Sequence, residues 1–241
     1  MYNADIDIVK TNLINGETLL FDKPYKWTSF DVVNKIRWTI SRSLKLKKIK
    51  IGHAGTLDPL ATGLLILCTG QKTKNIEAIQ NQPKRYIATI SLGNTTPSYD
   101  LETQINQTWS VDNITESGVR SVLKKLTGTI LQEPPLYSAK WINGVRAYDL
   151  ARSGDSKKLE PVEVTIFENK LLEYSQNQIK LEILCSKGTY IRAIARDIGI
   201  MLNNGAYLKE LQRIEIGDFK LSNAQDIESY CNKIKLLANT Q

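Results

Sequence analysis

The sequence contains few of the residues that metal and redox sites need. Its one histidine is His53, and its three cysteines, Cys68, Cys185 and Cys231, are far apart and form no C-x-x-C pair. Neither a disulfide framework nor a cysteine zinc site is indicated, and a single histidine excludes H-E-x-x-H and multi-histidine metal centres. No P-loop and no G-x-G-x-x-G occurs either. We therefore expect no metal and no cofactor, and structural burial of the cysteines.

Long apolar runs are also missing. The longest uninterrupted one covers residues 64–68, far short of the roughly 20 residues that span a bilayer. Residues 1–5 lack the basic and apolar regions of a signal peptide. These observations predict a cytoplasmic protein that does not contact membranes.

Positive charge is in excess. The chain of 241 residues carries a net charge of +7, and its 41% hydrophobic content is enough for a substantial core. Four lysines cluster just before the most distinctive motif of the chain: Lys45, Lys47, Lys48 and Lys50. Such a cluster favours a polyanionic partner, although a solvated basic surface would give the same pattern.

That motif is the twelve-residue segment 52–63, which sets Asp58 among small residues directly before an apolar strand. Pro59 favours an extended backbone at Asp58, and Gly55 and Gly63 permit conformations that other residues avoid. A loop built to hold one shape is a common carrier of function. The alternative is that Asp58 only stabilises its own turn, as Asp often does.

Hydrophobic periodicity predicts an α+β domain. Ser29 is expected to cap a helix with Val33, Ile36 and Ile40 on one face. Further helices are expected from Thr115 to Gly128, from Thr189 onward and near the C-terminus, with strands at residues 18–21, 63–69, 84–92 and 172–185. Because these elements do not alternate as βαβ units, a mixed or antiparallel sheet is favoured.

The Asp58 loop is one of several motifs that occur in a fixed order. The others lie at residues 20–24, 28–31, 84–86, 134–140, 187–192 and 211–213. In this series the chain resembles the tRNA pseudouridine synthase B (TruB) family over about residues 18–220. Members of that family isomerise uridine 55 in the T loop of tRNA.

The resemblance implies a fold, a domain organisation and a partner. The expected fold is the pseudouridine synthase catalytic fold, a mixed, mostly antiparallel sheet with a central cleft flanked by helices and loops. Residues 1–220 would form this catalytic domain and residues 221–241 a short helical tail, with no PUA domain. The partner would be the T-arm stem-loop of tRNA, bound by a monomer without metal or cofactor.

The resemblance also assigns the catalytic carboxylate to Asp58. Uridine becomes pseudouridine when the N1 glycosidic bond breaks, the uracil turns over and C5 attaches to C1′ of the same ribose. Asp58 would attack C1′, stabilise positive charge there or remove the C2′ proton, and the sequence leaves these mechanisms open.

Five further residues match positions with roles in the family. Arg192 corresponds to the arginine that pairs with the catalytic aspartate, and Tyr86 and Tyr190 to tyrosines that enclose the target base. Tyr86 would also move a proton at C5, whereas Leu211 would line the uracil pocket. His53 would fill space next to the extruded nucleotide, with acid or base catalysis as the alternative. Both tyrosines are compatible with ordinary core positions.

Two other functions fit parts of the pattern. A catalytically silent RNA-binding or RNA-folding protein would use the same cleft, and the basic segment from Lys140 to Lys158, with Trp141 and Tyr148, suits RNA. That segment is equally compatible with an ordinary surface hairpin. A sugar hydrolase is disfavoured because no second carboxylate stands out as its acid or base.

Overall fold

The computed structural model describes residues 2–138, 141–142, 145–146 and 159–239. The basic segment from Lys140 to Lys158 therefore lies outside the described residues, apart from two short strands. The chain forms two compact units. The first unit comprises Met1–Lys84 and Gln212–Gln241, and the second comprises Arg85–Leu211.

Six α-helices occur in the described ranges: α1 (Tyr2–Asn15), α2 (Ser29–Ser43), α3 (Ile76–Asn81), α4 (Glu116–Lys125), α5 (Ile191–Met201) and α6 (Ile227–Asn239). The strands are β1 (Thr18–Lys23), β2 (Ile51–His53), β3 (Ala61–Thr69), β4 (Lys84–Leu92), β5 (Asn94–Thr95), β6 (Gln107–Thr108), β7 (Gly128–Gln132), β8 (Trp141–Ile142), β9 (Val145–Arg146), β10 (Val162–Ser175), β11 (Gln178–Cys185), β12 (Ala206–Ile216) and β13 (Phe219–Lys220). Short 3-10 turns cover Gly70–Asn75 and Leu221–Asn223.

Strand β3 is the centre of the first unit. It pairs antiparallel with both β1 and β2, and β12 lies next to it in the strand order. Leu65 and Leu67 pack into a core with residues of α1, α2 and α6, whereas Leu64, Ile66 and Cys68 pack into a second cluster. Because β3 is buried on both faces, it reads as a continuous apolar run rather than an alternating one.

The N-cap of helix α2 lies one residue before the expected position. Thr28 is the N-cap: its Oγ1 accepts from the Asp31 amide at 3.0 Å, and the Asp31 carboxylate accepts from the Thr28 amide at 2.8 Å. The prediction that Ser29 caps this helix was therefore wrong. Ser29 is the first helical residue, and its buried hydroxyl bonds to Leu57 instead.

Helix α6 packs on α2 and completes the core of the first unit. Ile227, Tyr230, Cys231 and Ile234 are buried, and the ring of Tyr230 meets that of Phe21 edge-on at 5.2 Å between centroids. The predicted C-terminal helix is thus observed as a core element. The predicted domain division at residue 220 stays a prediction.

The second unit is built on strands in the order β12-β4-β11-β10-β7. Strands β10 and β11 form an antiparallel hairpin, so the strand signal predicted over residues 172–185 belongs to two strands. Along β11, Ile179, Leu181, Ile183 and Cys185 are buried in alternation. Helix α4 packs against β10 and α5.

The expected α+β class is confirmed. Every strand pairing with a described register is antiparallel, and two isolated parallel bridges join Phe21 to Gln225 and Asp100 to Leu208. The prediction that Lys84 to Leu92 forms a strand is also confirmed. No helix in the described part of the chain is long and apolar enough to cross a membrane.

Candidate active site

Asp58 lies in the turn between β2 and β3 of the first unit. Its carbonyl accepts from the Ala61 amide at 3.0 Å, and this hydrogen bond closes the turn as β3 begins. Gly63 in β3 has a φ of 100°, and a side chain there would collide with the Arg213 backbone carbonyl of β12. Glycine is therefore required at this position, because only it combines positive φ with such a close approach of two strands.

Arg213 binds backbone carbonyls on both sides of Asp58. Its Nε donates to the Leu64 carbonyl at 2.9 Å, its Nη2 to the Gly55 carbonyl at 3.0 Å and its Nη1 to the Thr56 carbonyl at 3.3 Å. The side chain is 1% exposed. One guanidinium thus satisfies buried carbonyls on both arms of the loop, which a smaller donor could not reach together.

Lys23 binds the backbone that follows Asp58. Its buried Nζ donates to the carbonyls of Trp27 at 2.6 Å, Pro24 at 3.0 Å and Pro59 at 3.3 Å. Burial lowers the pKa of Lys23 to about 8; the charge of Asp58 opposes this shift and that of Arg213 adds to it. The ammonium joins the Asp58 turn to the segment between β1 and α2.

Ser29 holds the residue between these two anchors. The Leu57 amide donates to Ser29 Oγ at 2.9 Å, and Ser29 Oγ lies 3.2 Å from the Leu57 carbonyl, to which it donates. Arg213, Ser29 and Lys23 thereby fix the backbone on both sides of the half-buried Asp58. Lys23 and Arg213 stand in the motifs at residues 20–24 and 211–213, yet nothing in their spacing indicated this role.

His53 is the last residue of β2 and is half-buried. Burial, and secondarily the charge of Arg213, lower the pKa of its imidazole. The ring is therefore neutral near pH 7, and its buried Nδ1 has no hydrogen-bond partner among the described residues. The positional role of His53 and the alternative of acid or base catalysis both stay predictions.

Arg192 lies in the first turn of α5 in the second unit and is 4% exposed. Its Nη1 donates to the Tyr137 carbonyl at 2.8 Å and to the Ser98 carbonyl at 3.4 Å, and its Nε lies 3.5 Å from Asp100 Oδ2. Asp100 is equally buried, so this ion pair is shielded from solvent. Nothing in the sequence singled out Asp100, which stands in a polar stretch without clear periodicity.

The other expected residues of the second unit lie on three elements. Tyr86 is 7% exposed on β4, and Leu211 is half-buried on β12. Tyr190 caps α5; its amide donates to Gln132 Oε1 at 2.8 Å, and Gln132 Nε2 donates to its carbonyl at 3.2 Å. The fully buried Gln132 therefore fixes the backbone at Tyr190.

The expected site residues thus divide between the units. His53 and Asp58 belong to the first, and Tyr86, Tyr190, Arg192 and Leu211 belong to the second. The pairing of Arg192 with Asp58 and the enclosure of a base by the tyrosines stay predictions. Within the described ranges, no group of three or more His, Cys, Asp or Glu side chains is arranged to hold a metal ion.

The motif series and the anchored Asp58 loop agree with a family comparison. Residues 42–191 match the TruB family pseudouridylate synthase (N terminal domain). The chain belongs to the TruB family. Pseudouridine synthases rearrange a nucleoside without adding or removing atoms, so this member of the family is an enzyme of the isomerase class.

Relatives within the TruB family are similar over most of their length. The tRNA pseudouridine synthase B of Phocaeicola vulgatus is 53% identical over 219 residues, which cover 91% of this chain and 93% of that protein. The tRNA pseudouridine synthase B of Chlorobaculum tepidum is 42% identical over 227 residues, with 93% of each chain covered. A crystal structure of a Cbf5-Nop10-Gar1 complex is similar with a TM-score of 0.71 at 24% identity, over 95% of this chain and 61% of that one, which shows the fold alone.

The anchoring by Arg213 leads to a prediction about stability. Arg213→Met removes the donors to three loop carbonyls, so we expect the free energy of unfolding to fall by about 3 kcal/mol and Tm by roughly 6–12 °C. Thermal denaturation measures this, with Arg120→Met as the control because Arg120 is exposed on α4 and, within the described ranges, pairs only with Glu116. Equal Tm values for the two variants would contradict the anchoring role.

The buried ammonium of Lys23 leads to a second prediction. In ¹³C NMR of lysine-labelled protein, the Lys23 side chain should titrate near pH 8, below the ordinary lysine value of 10.5 that holds in the unfolded chain. Between these values the unfolded chain binds more protons than the folded one, so the contribution of Lys23 to the free energy of unfolding rises with pH. The resonance should disappear in Lys23→Gln. A spectrum in which every lysine titrates above about pH 10 would contradict the lowering of the Lys23 pKa by burial.

Proposed function

We propose that this isomerase converts uridine 55 in the T loop of tRNA to pseudouridine, with Asp58 as its catalytic carboxylate, and that it acts in the cytoplasm. The observation that carries the proposal is the fixed loop around Asp58: three buried side chains hold the backbone of residues 55–59. Relatives about half identical over most of their length are tRNA pseudouridine synthases B. This supports tRNA as the substrate.

A fixed backbone suits the chemistry at C1′. The reaction breaks the bond from N1 to C1′ and forms one from C5 to the same carbon, while the proton on C5 leaves and N1 gains one. A carboxylate serves each candidate mechanism only if it already lies at the sugar, because a displacement of about 1 Å costs on the order of 100-fold in rate. Arg213, Ser29 and Lys23 provide this preorganisation for Asp58.

Residues of the second unit complete the proposed mechanism. Arg192 would hold Asp58 as a carboxylate. The buried contacts of Arg192 to Asp100 and to the Tyr137 carbonyl fix the position of its guanidinium. Tyr190 and Leu211 would enclose the uracil, and Tyr86 would enclose it and move the C5 proton. His53 would occupy the space that the extruded nucleotide leaves.

The basic segment after α2 supports RNA as the ligand. Lys45, Lys47, Lys48 and Lys50 are all exposed, and the segment leads directly into β2, which ends at His53. Four ammonium groups next to a strand that carries a site residue would neutralise phosphates close to the target nucleotide. The segment from Lys140 to Lys158 is proposed to add further contacts.

Asp58→Asn tests the catalytic assignment. We expect the amide variant to form no pseudouridine, because it has neither nucleophile nor base, and to bind tRNA within about tenfold of the native affinity. Product is measured by nucleoside analysis of unmodified tRNA, with the exposed Asp218→Asn as the control. Substantial turnover by Asp58→Asn would overturn the assignment. Binding without turnover by the native protein would instead favour a silent RNA-binding protein.

The local placement of the proposed contacts leads to a prediction about the substrate. An isolated T-arm stem-loop should be modified nearly as well as whole tRNA, and binding of both should weaken steeply with salt as neutralised phosphates release counterions. Single-turnover rates and a salt titration of Kd measure these effects. If whole tRNA is modified and the stem-loop is not, the main contacts lie elsewhere. The same follows if the affinity does not depend on salt.

A further inference from the structure

Nearly all the charge imbalance of the chain is concentrated in one short segment. Residues 25–50 contain eight lysines and arginines and one aspartate. The net charge of this segment is therefore +7, which equals the net charge of all 241 residues. The remainder of the chain is therefore balanced in sign. Helix α2 forms the middle of this segment, and four of the eight cations follow it in residues 45–50, so the positive field of the molecule is strongest around the end of this helix and the residues after it.

Most of these cations are available to a ligand. Lys35 pairs with Glu228 at 3.0 Å, and Arg37 donates to the Ile51 carbonyl at 3.0 Å. The exposed side chains of Arg42, Lys45 and Lys48, by contrast, have no carboxylate partner among the described residues. A fold that leaves cations unpaired beside its site attracts a polyanion.

The same face of α2 presents aromatic rings to solvent. Phe30 and Trp38 are both 60% exposed, and with Asn34 and Arg42 they follow one another every four residues along one side of the helix. This row, which we call the α2 stripe, spans about 18 Å at 1.5 Å per residue. The stripe therefore combines two exposed aromatic rings, about 12 Å apart along the helix, with a cation at its end, and this combination suits a partner that has both stackable and anionic groups.

The α2 stripe is joined to the candidate site at both ends. Phe30 follows Ser29, whose hydroxyl bonds to Leu57 next to Asp58. At the other end, Arg42 leads through the basic segment to β2 and His53. Helix α2 also packs on β2, so a ligand at Asp58 and His53 would lie next to the helix that carries the stripe.

We propose that the α2 stripe and the basic segment after it bind unpaired RNA adjacent to the target nucleotide, with phosphates on Arg42, Lys45 and Lys48 and with bases or riboses on the rings of Phe30 and Trp38. The proposal rests on the RNA-modifying function proposed above and adds a surface to it. Cations interleaved with aromatic rings suit unpaired RNA because every base has a face that stacks, whereas paired bases are not accessible. An acidic protein would match the charge but would leave the rings without a stacking partner.

The test compares Trp38→Ala, Trp38→Phe and Arg42→Gln in binding to a T-arm stem-loop. Base stacking is worth roughly 1–3 kcal/mol, so Trp38→Ala should weaken binding by about fivefold or more at an unchanged salt dependence. Trp38→Phe keeps a ring and should stay within about threefold of the native affinity. Arg42→Gln should reduce the slope of log K against log salt by about 0.7–1.

Two matched controls and one competitor complete the experiment. Phe167→Ala removes an aromatic ring that is 49% exposed on β10, and Lys124→Gln removes an exposed cation on α4; both should bind within about twofold of the native protein. Polyuridylate should compete with the stem-loop better than an RNA duplex of equal length, and Trp38→Ala should lose this preference. If polyglutamate competes as well as polyuridylate, the surface recognises only negative charge, and the stacking proposal is overturned.

The outcome separates this proposal from the proposed function. If the native protein forms pseudouridine and all stripe variants bind as it does, the stripe is not an RNA surface and the function stands. If the native protein forms none but binds RNA through Trp38 and Arg42, the stripe stands and the function fails. Unchanged Tm values in all variants confirm that the binding effects are local.

Discussion

The site depends on one constraint, which is that the backbone carbonyls of the Asp58 loop point into the protein and require buried donors. Arg213 meets this requirement from β12, where its guanidinium reaches the carbonyls of Gly55, Thr56 and Leu64. A buried carbonyl without a donor costs about 1–3 kcal/mol. The conformation of the loop and the buried position of Arg213 therefore depend on each other. The glycine at position 63 belongs to the same constraint, because it lets β3 approach the backbone of Arg213.

This arrangement places two cations inside the first unit, where charge is costly. Burial lowers the pKa of Lys23, and the charge of Arg213 adds to the shift, so the two side chains repel each other. The cost of burying the two charges is partly offset by carbonyl oxygens, because each cation donates to three of them. The charge of Asp58 stabilises the Lys23 ammonium further. Positive charge is thus concentrated around the one carboxylate of the loop, and neutral His53 adds none.

Rigid and exposed parts of the first unit have separate roles. The residues that hold Asp58 are buried, and their contacts are to backbone atoms, which leaves the loop few alternative shapes. The cations Arg42, Lys45 and Lys48 are exposed and have no carboxylate partner among the described residues, as a surface for a polyanion requires. Helix α2 serves both parts, because its first residue, Ser29, bonds to the loop while the opposite side of the helix faces solvent.

The sequence alone determined the local elements and the family. Regular periodicity predicted β4 and α2, and the ordered motifs pointed to the TruB family, which the comparison over residues 42–191 confirmed. Only the tertiary structure decided the cap of α2 and the anchors of Asp58, since Arg213 binds Gly55 across 158 residues of chain. Strand β10 escaped prediction because bulges near Phe167 and Leu172 break its alternation. Periodicity reports which face of an element is buried, whereas the partner of a buried polar group is set by which distant backbone the fold brings to it.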